Sequence, residues 1–297
     1  MVQRFIIGLL LLSSSTCFSQ ETKDSSFRMN FLKTVVTYLA NDSLYGRPTS
    51  SVYESQAADF IYQTFKETKG LKPKRQVFAF QQSDTASIQQ SQNIYCYINN
   101  RADSTILIGA HYDHIGLGGG LSLAYSKKNQ IHNGADDNAS GVALMLLLSK
   151  QAKREMTKKY NYLFVAYSAH EIGLFGSTAF YDFIHSKVKP ITQMINFDMV
   201  GRMDRSSPVL SVFVSTKSSS RAADYFERLK ARPQINLDFN TKIKNSDCRI
   251  FDANGIEALS FTTGIHSDYH KPSDDADKIN YAGMDVINKI LIEFINR

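Results

Sequence analysis

Hydrophobic residues recur along the chain in two patterns, and together these predict alternating helices and strands. Apolar residues three and four positions apart are typical of amphipathic helices. The helices predicted in this way are 26–44, 53–68, 140–153, 177–184, 221–231 and 275–296. Short runs rich in β-branched and aromatic residues predict strands, and a wholly apolar run is typical of a strand buried on both faces. The predicted strands are 76–80, 93–98, 105–110, 162–167, 194–200, 209–214 and 257–262.

This alternation predicts the fold class. Strands that are separated by helices tend to pair in parallel, and the helices then cover both faces of the sheet. We therefore expect an α/β protein, a three-layer α/β/α sandwich around a mixed, mostly parallel sheet. The sequence shows no internal repeat and no linker, so we expect one domain over residues 20–297.

Residues 1–19 have the pattern of a secretory signal peptide. Arg4 precedes a short apolar run, 5–12, and small and polar residues follow it as far as Ser19. The run is shorter than the roughly 20 residues that a membrane-spanning helix needs, and no later segment is apolar enough to span a membrane. We therefore expect cleavage after Ser19 and export to the periplasm or the exterior. The alternative is a buried amino-terminal helix or strand.

Composition excludes several classes of protein. Hydrophobic residues make up 43% of the 297, which is enough for a core and excludes wholesale disorder. The net charge of +6 includes 28 acidic residues spread along the chain, so we expect no nucleic-acid partner. Three cysteines cannot form a disulfide scaffold, and Cys96 and Cys248 are the two outside the signal peptide. Whether they pair stays open, as does the oligomeric state.

Histidine and acidic side chains cluster where the predicted buried strands end. Ligands of open α/β sheets bind at the carboxyl ends of the strands. The residues found there are His111, Asp113, His114, Asp136, Asp137, His170, Glu171, Asp198, Asp268, Tyr269 and His270, with Asp198 inside the strand predicted at 194–200. Burying this many acids without a compensating cation is very costly, so the cluster predicts one or two divalent metal ions.

The ligand types point to a metal and a reaction. Imidazole and carboxylate without clustered thiolates favour zinc, with cobalt and manganese as alternatives. A carboxylate that bridges two such ions lets them share a water, lower its pKa and polarise a carbonyl group. The residues therefore predict metal-assisted hydrolysis of an amide or related acyl bond.

The order of these motifs resembles that of the di-zinc aminopeptidase family, which also includes glutamate carboxypeptidases and glutaminyl cyclases. The resemblance covers nearly the whole chain after residue 19. It rests on 39–47, on the helix that ends before Gly70, on the five clusters above, and on the closing DYHKPSD at 268–274. It implies a zinc-exopeptidase fold and two zinc ions per chain.

The resemblance also implies a role for each site residue. Five residues match the ligands of the two ions: His111 and Asp198 on one, Glu171 and His270 on the other, and Asp137 bridging them. Asp113 matches a carboxylate that orients the first histidine. The remaining polar residues of this region have no ligand role in the motif, and we expect them to be structural or at the surface: His114, His132, Asp136, His185 and His266. Arg202 is expected either to contact substrate or to form an ion pair.

Two positions depart from the family pattern. His170 stands where the family has a glutamate that acts as general base. Because histidine accepts a proton near neutral pH, His170 is the candidate for that role, and the alternative is that it lies at the wrong distance. Cys248 follows Asp247 where many relatives carry a tyrosine or histidine that stabilises the oxyanion, and a thiol is a weak donor. Cys248 and Tyr269 are the candidate substrate or oxyanion residues, although Tyr269 is equally suited to packing.

Three functions fit these residues. The leading one is a zinc-dependent exopeptidase, an aminopeptidase that cleaves the amino-terminal bond of a peptide with a metal-bridging hydroxide. The second is a glutaminyl cyclase-like acyltransferase, which the resemblance associates with a pair of glutamates and a single zinc. The third is a peptidase-fold binding protein with impaired catalysis, which the replacements at His170 and Cys248 favour. Metal content and peptide hydrolysis distinguish the three.

Overall fold

Eight strands form one mixed sheet in the computed structural model, which describes residues 2–125, 129–215, 220–230, 236–240 and 245–297. In chain order the strands are β1 (Pro73–Phe80), β2 (Gln89–Ile98), β3 (Thr105–His111), β4 (Asn161–Tyr167), β5 (Ile191–Phe197), β6 (Val209–Val214), β7 (Asn236–Asn240) and β8 (Glu257–Thr262). Their order in the sheet is β1-β2-β4-β3-β5-β8-β6-β7. Four of the seven neighbouring pairs are parallel, which confirms the mixed, mostly parallel sheet.

Helices cover both faces of this sheet. They are α1 (Val2–Leu39), α2 (Val52–Glu67), α3 (Gly141–Glu155), α4 (Phe175–Ile184), α5 (Ser220–Lys230), α6 (Cys248–Ala253) and α7 (Tyr281–Asn296). Side chains of α1, α2, α3, α5 and α7 form a core with one face of the sheet, and α4 and α6 form a second core with the other face. The three-layer α/β/α prediction is confirmed.

The central strands supply both cores by alternation. Along β3, Ile106 and Ile108 enter the first core, whereas Leu107 between them enters the second. Successive side chains of a strand point to opposite faces, so a wholly apolar run is required wherever both faces are covered. This requirement explains why 105–110 carries no polar side chain after Thr105.

Several boundaries differ from the predicted ones. β5 ends at Phe197, so Asp198 follows the strand instead of lying inside it. The closing helix is divided: a 3₁₀ turn, Ala276–Lys278, precedes α7, whose start is capped by the Asn280 side chain. β7 and α6 were not predicted, and Ala231, the end of one predicted helix, lies outside the described residues.

The two buried cysteines lie on opposite sides of the sheet. Cys96 belongs to the first core and Cys248 to the second, and both thiols are free. The option of a Cys96–Cys248 disulfide is therefore wrong, because the sheet separates the two sulfur atoms.

No helix in the described part of the chain combines the length and the apolar character that crossing a bilayer requires.

A buried arginine joins the end of α1 to the segments that approach the functional edge of the sheet. The Arg47 guanidinium donates to the carbonyls of Tyr112 at 2.8 Å, Asn133 at 2.6 Å and Gly134 at 3.1 Å, and also to that of Leu39. The side chain is fully buried. Burial lowers the pKa of Arg47 to about 10, although the nearby carboxylates oppose this shift. Arg47 therefore ties together α1, the residue after β3 and the turn ahead of α3.

Candidate active site

Five of the predicted site residues meet at the carboxyl edge of three adjacent parallel strands. β4, β3 and β5 are neighbours in the sheet, and His111, Glu171 and Asp198 lie at or just beyond their ends. Asp137 comes from the turn that leads into α3, and its peptide bond to Asn138 is cis. His270 comes from the loop after β8.

Asp137 lies between two histidines. Its Oδ1 is 3.4 Å from His111 Nε2, and its Oδ2 is 3.2 Å from His270 Nε2. A second carboxylate approaches each of these nitrogens: Asp198 Oδ1 is 3.7 Å from His111 Nε2, and Glu171 Oε2 is 3.3 Å from His270 Nε2. The five side chains therefore form two ligand sets that share one carboxylate.

Main-chain carbonyls determine which nitrogen of each histidine faces the acids. His111 Nδ1 lies 3.2 Å from the Asp113 carbonyl, and His270 Nδ1 lies 3.0 Å from the Leu121 carbonyl. A carbonyl oxygen only accepts, so each Nδ1 carries the hydrogen and each Nε2 presents a lone pair to two carboxylates. Both Nε2 atoms are buried and make no hydrogen bond.

A lone pair that faces carboxylates in a buried site requires a positive charge between them. The same requirement appears in the pKa values of the site. Burial lowers the pKa of His270, but Asp137 and Glu171 outweigh it and raise the value to about 10. Burial and Asp137 raise the pKa of Glu171, but His114 and His270 bring it down to about 2. A pair of divalent cations fits these ligand sets in charge and in ligand type.

Two further carboxylates hold the main chain of the site. Asp113 accepts hydrogen bonds from the amides of His170 at 3.0 Å and Glu171 at 3.2 Å. Its Oδ1 is 3.8 Å from His111 Nδ1, farther than its own carbonyl, so the carboxylate positions the loop after β4 more directly than it orients His111. Asp274 Oδ2 accepts from the amides of Asp136 at 2.9 Å and Asp137 at 3.0 Å. The role of Asp274 was not predicted from the sequence, although this residue belongs to the closing motif at 268–274.

His170 lies beside the first ligand set and has a carboxylate partner. Its Nδ1 is 3.0 Å from Asp247 Oδ2, and its ring stacks on that of His111 with centroids 3.7 Å apart and planes 6° apart. Burial and His111 lower the pKa of His170, but Asp247 and Asp198 outweigh them and raise it to about 9. Sequence reasoning missed Asp247, which is distant in the chain and had been noted only as the neighbour of Cys248.

The stacking of the two rings shows whether His170 and His111 could bind the same metal ion. Donor atoms of His111, His170 and Asp198 all lie within 4.8 Å of one another, as metal ligands do. However, a ring nitrogen directs its lone pair within the ring plane, and two parallel planes cannot contain the same ion. In this arrangement His170 is adjacent to the ion that His111 would bind and does not share it.

The other polar residues of the region make structural contacts. His114 Nδ1 is 2.9 Å from Glu171 Oε1, and His266 Nε2 is 3.2 Å from Asp136 Oδ2. His185 is exposed and bonds to its own helix. Arg202 donates to Asp268 at 2.7 Å, so the ion-pair alternative holds.

The two candidate oxyanion residues differ in position. Cys248 is fully buried in the second core with Sγ 3.3 Å from Ser246 Oγ, and burial raises the pKa of its thiol to about 12. Because Cys248 is enclosed in this apolar cluster, the expectation that it contacts substrate is wrong. Tyr269 is partly exposed and stacks on His270, with ring centroids 4.1 Å apart.

The sequence places this site in a known family. Residues 93–295 match the family model described as Peptidase family M28. The chain belongs to peptidase family M28.

Curated relatives of the M28 chain are similar over part of their length. The uncharacterized protein YfbL of Escherichia coli (strain K12) is 28% identical over 208 residues, which cover 60% of this chain and 62% of that protein. Aminopeptidase YwaD of Bacillus subtilis (strain 168) is 28% identical over 204 residues, which cover 65% of this chain and 41% of that protein. The M28 chain therefore spans less than two thirds of these relatives.

Solved structures share its fold at low sequence identity. A leucine aminopeptidase precursor from Bacteroides thetaiotaomicron VPI-5482 has a TM-score of 0.74 at 15% identity, covering 91% of this chain and 97% of its own. BSAP, a zinc aminopeptidase from Bacillus subtilis, has a TM-score of 0.72 at 15% identity, covering 90% of this chain and 94% of its own. A Fimbriiglobus ruber glutaminyl cyclase has a TM-score of 0.73 at 17% identity, covering 90% of this chain and 94% of its own. The fold of the M28 chain is thus common to aminopeptidases and a cyclase.

Proposed function

We propose that this M28 chain is a zinc-dependent exopeptidase, and specifically an aminopeptidase that hydrolyses the amino-terminal bond of a peptide. The observation that supports this most is Asp137, whose two oxygens each face the lone pair of a buried histidine. In this proposal Asp137 would be the ligand common to two zinc ions. His111 and Asp198 complete the first ligand set, and Glu171 and His270 complete the second.

The protein's own side chains would place and protonate the reacting groups. Zinc, when bound, would polarise the scissile carbonyl and lower the pKa of a water molecule. Asp247 fixes one hydrogen of His170 on Nδ1. The positive charge of bound zinc would lower the pKa of His170 from the value of about 9 that it has without metal, so that Nε2 could accept a proton from that water and pass it to the leaving amine. Asp113 holds His170 and Glu171 by their amides and so fixes their spacing. Tyr269, beside His270, is the remaining candidate for a substrate contact.

The charge of the site supports recognition of an amino terminus. Asp198 is more exposed than Asp113, Asp137 and Glu171, with 22% of its side chain accessible. Arg202, which follows β5 a few residues after Asp198, is already paired with Asp268. A carboxylate that binds zinc through one oxygen keeps a second oxygen, and that of Asp198 would accept a hydrogen bond from a substrate ammonium group. A substrate carboxylate would have to compete with Asp268 for Arg202.

The test is hydrolysis of a panel of amino-acid p-nitroanilides, with zinc per chain measured on the same sample. Glu171→Ala, which removes a ligand, should lose activity and about one zinc. Amino-terminal acetylation of a peptide substrate should abolish cleavage. Cyclisation of amino-terminal glutamine without hydrolysis would instead indicate the acyltransferase, and two zinc ions with no turnover on any substrate would indicate a binding protein. Rescue of an inactive protein by His170→Glu would show that the site lacks only its base.

We further propose that residues 1–19 are a signal peptide, that 20–297 form the peptidase domain and that the protein acts after export. The support is the charged, apolar and small-residue pattern of the first residues. Mass spectrometry of the protein recovered outside the cytoplasm tests this, since a new amino terminus at Gln20 is expected.

A further inference from the structure

The loop at 117–125 contacts His270 at two points. The Leu121 carbonyl lies 3.0 Å from the His270 ring at Nδ1, and the Leu123 amide donates to the His270 carbonyl at 2.9 Å. The first contact sets the tautomer of His270 and aims Nε2 at Asp137 and Glu171. The second fixes the main chain that carries the ring. The position of His270 in the second ligand set therefore depends on this loop.

Ser122, which lies between these two contacts, ties the loop to His132. Its Oγ is 2.8 Å from His132 Nε2 and accepts from the Ala124 amide at 3.1 Å. His132 Nδ1 is 2.8 Å from the Gln130 carbonyl, so Nδ1 carries the hydrogen and Nε2 must accept from the Ser122 hydroxyl. Both side chains are buried. Every donor of the pair thus has an acceptor.

His132 is itself anchored on the framework of the site. Its amide donates to the Gly116 carbonyl at 2.8 Å, and its ring packs so closely on Gly118 that a Cβ there would lie 2.4 Å from Cε1. Gly118 has a φ of +84°, which a glycine adopts without strain. His132 therefore fills the inside of the loop, whereas many of the loop's apolar side chains, such as Leu123, are exposed. The loop has little core of its own and depends on this internal pair.

We propose that Ser122 and His132 form a positioning pair that orders His270 for the second metal ion, and this inference rests on the proposed zinc site. Neither residue belongs to the two ligand sets. It acts through the Leu121 carbonyl and the Leu123 amide. Partners of ligating histidines typically change metal affinity by about 10–100-fold when they are removed, and a group one step farther away should lie at the low end of that range.

The experiment compares single hydroxyl deletions by zinc titration against a chromogenic chelator. Ser122→Ala should weaken one of two zinc equivalents by about 10-fold and leave the other unchanged. Ser149→Ala, a buried serine of α3 whose hydroxyl donates to Leu146, is the matched control and should change neither. Hydrogen exchange at the Leu123 amide should slow on zinc addition in the wild type and slow less in Ser122→Ala.

Variants of His132 separate positioning from general stability. His132→Gln places an amide oxygen near the position of the histidine Nε2 and should retain wild-type zinc affinity. His132→Leu should weaken zinc binding as much as Ser122→Ala does. Equal zinc affinities in Ser122→Ala and wild type would overturn the inference while leaving the proposed function intact. A wild-type protein that binds no zinc would overturn both. Equal weakening of both zinc equivalents would also overturn the inference, because it would indicate a general loss of structure.

Discussion

Replacing Arg47 tests whether one buried side chain holds the approach to the site. Arg47→Met keeps much of the volume but removes the charge and all donors. Gly134 also accepts from the Ala139 amide, so the carbonyls most affected are those of Leu39, Tyr112 and Asn133. A buried polar group left unsatisfied costs about 1–3 kcal/mol, which gives about 3–9 kcal/mol for three. Relief from burying the charge offsets part of this. We therefore expect a net loss that is smaller than this gross figure but larger than the roughly 1 kcal/mol that a surface ion pair contributes at most.

Urea unfolding measures this loss from the midpoint and slope of the transition. Arg47→Lys, which keeps the charge but not the planar fork, should fall between the wild type and Arg47→Met. Arg75→Met is the matched control, because Arg75 pairs with Asp59 at the surface and such pairs contribute less than about 1 kcal/mol. If Arg47→Met is no less stable than Arg75→Met, the carbonyls find other partners and the reasoning fails.

Three other predictions concern metal, pH and the proton path. Removing zinc with a chelator should lower the melting temperature by several degrees in differential scanning fluorimetry. The reason is that a ligand at 1,000 times its Kd stabilises the folded state by about 4 kcal/mol. An unchanged melting temperature would argue against bound zinc. Burial and Asp113 raise the pKa of Glu54 in α2 from 4.5 to about 8. The folded state therefore holds a proton that the unfolded state has released, and stability should fall as pH rises between about 4.5 and 8, by up to about 1.4 kcal/mol per unit. Glu54→Gln should flatten that fall in urea unfolding, and an unchanged slope would contradict it. Asp247→Asn should lower kcat by a factor that approaches the roughly 10²–10⁴-fold contribution of a general base, with a smaller change in KM. A wild-type kcat and pH profile would show that His170 has no part in the mechanism.

The features predicted best from the sequence are those with a local signal. The apolar, β-rich run at 105–110 predicted a strand buried on both faces, and the end of that strand located His111. Strand ends also located Glu171 and Asp198, although β5 stops one residue before Asp198. The roles of these side chains as zinc ligands stay predictions.

The features that sequence reasoning missed depend on contacts between distant segments. Asp247 meets His170 from 77 residues away, and Asp274 holds the Asp137 amide from 137 residues away. Neither pairing leaves a periodic pattern, because each depends on how loops cross the edge of the sheet. Cys248 was misplaced for the same reason: its motif neighbour Asp247 turns to the site, and Cys248 begins α6 and turns into the second core.

The separation of Cys96 and Cys248 by the sheet has a consequence for how this protein matures. A chain whose two buried thiols cannot meet gains nothing from an oxidant and needs no disulfide-forming catalyst, even if it is exported to an oxidising compartment. Residues 20–297 should therefore reach the native state in a reducing cytoplasm as readily as outside it. Thiol titration of the unfolded protein from either compartment should count two free cysteines.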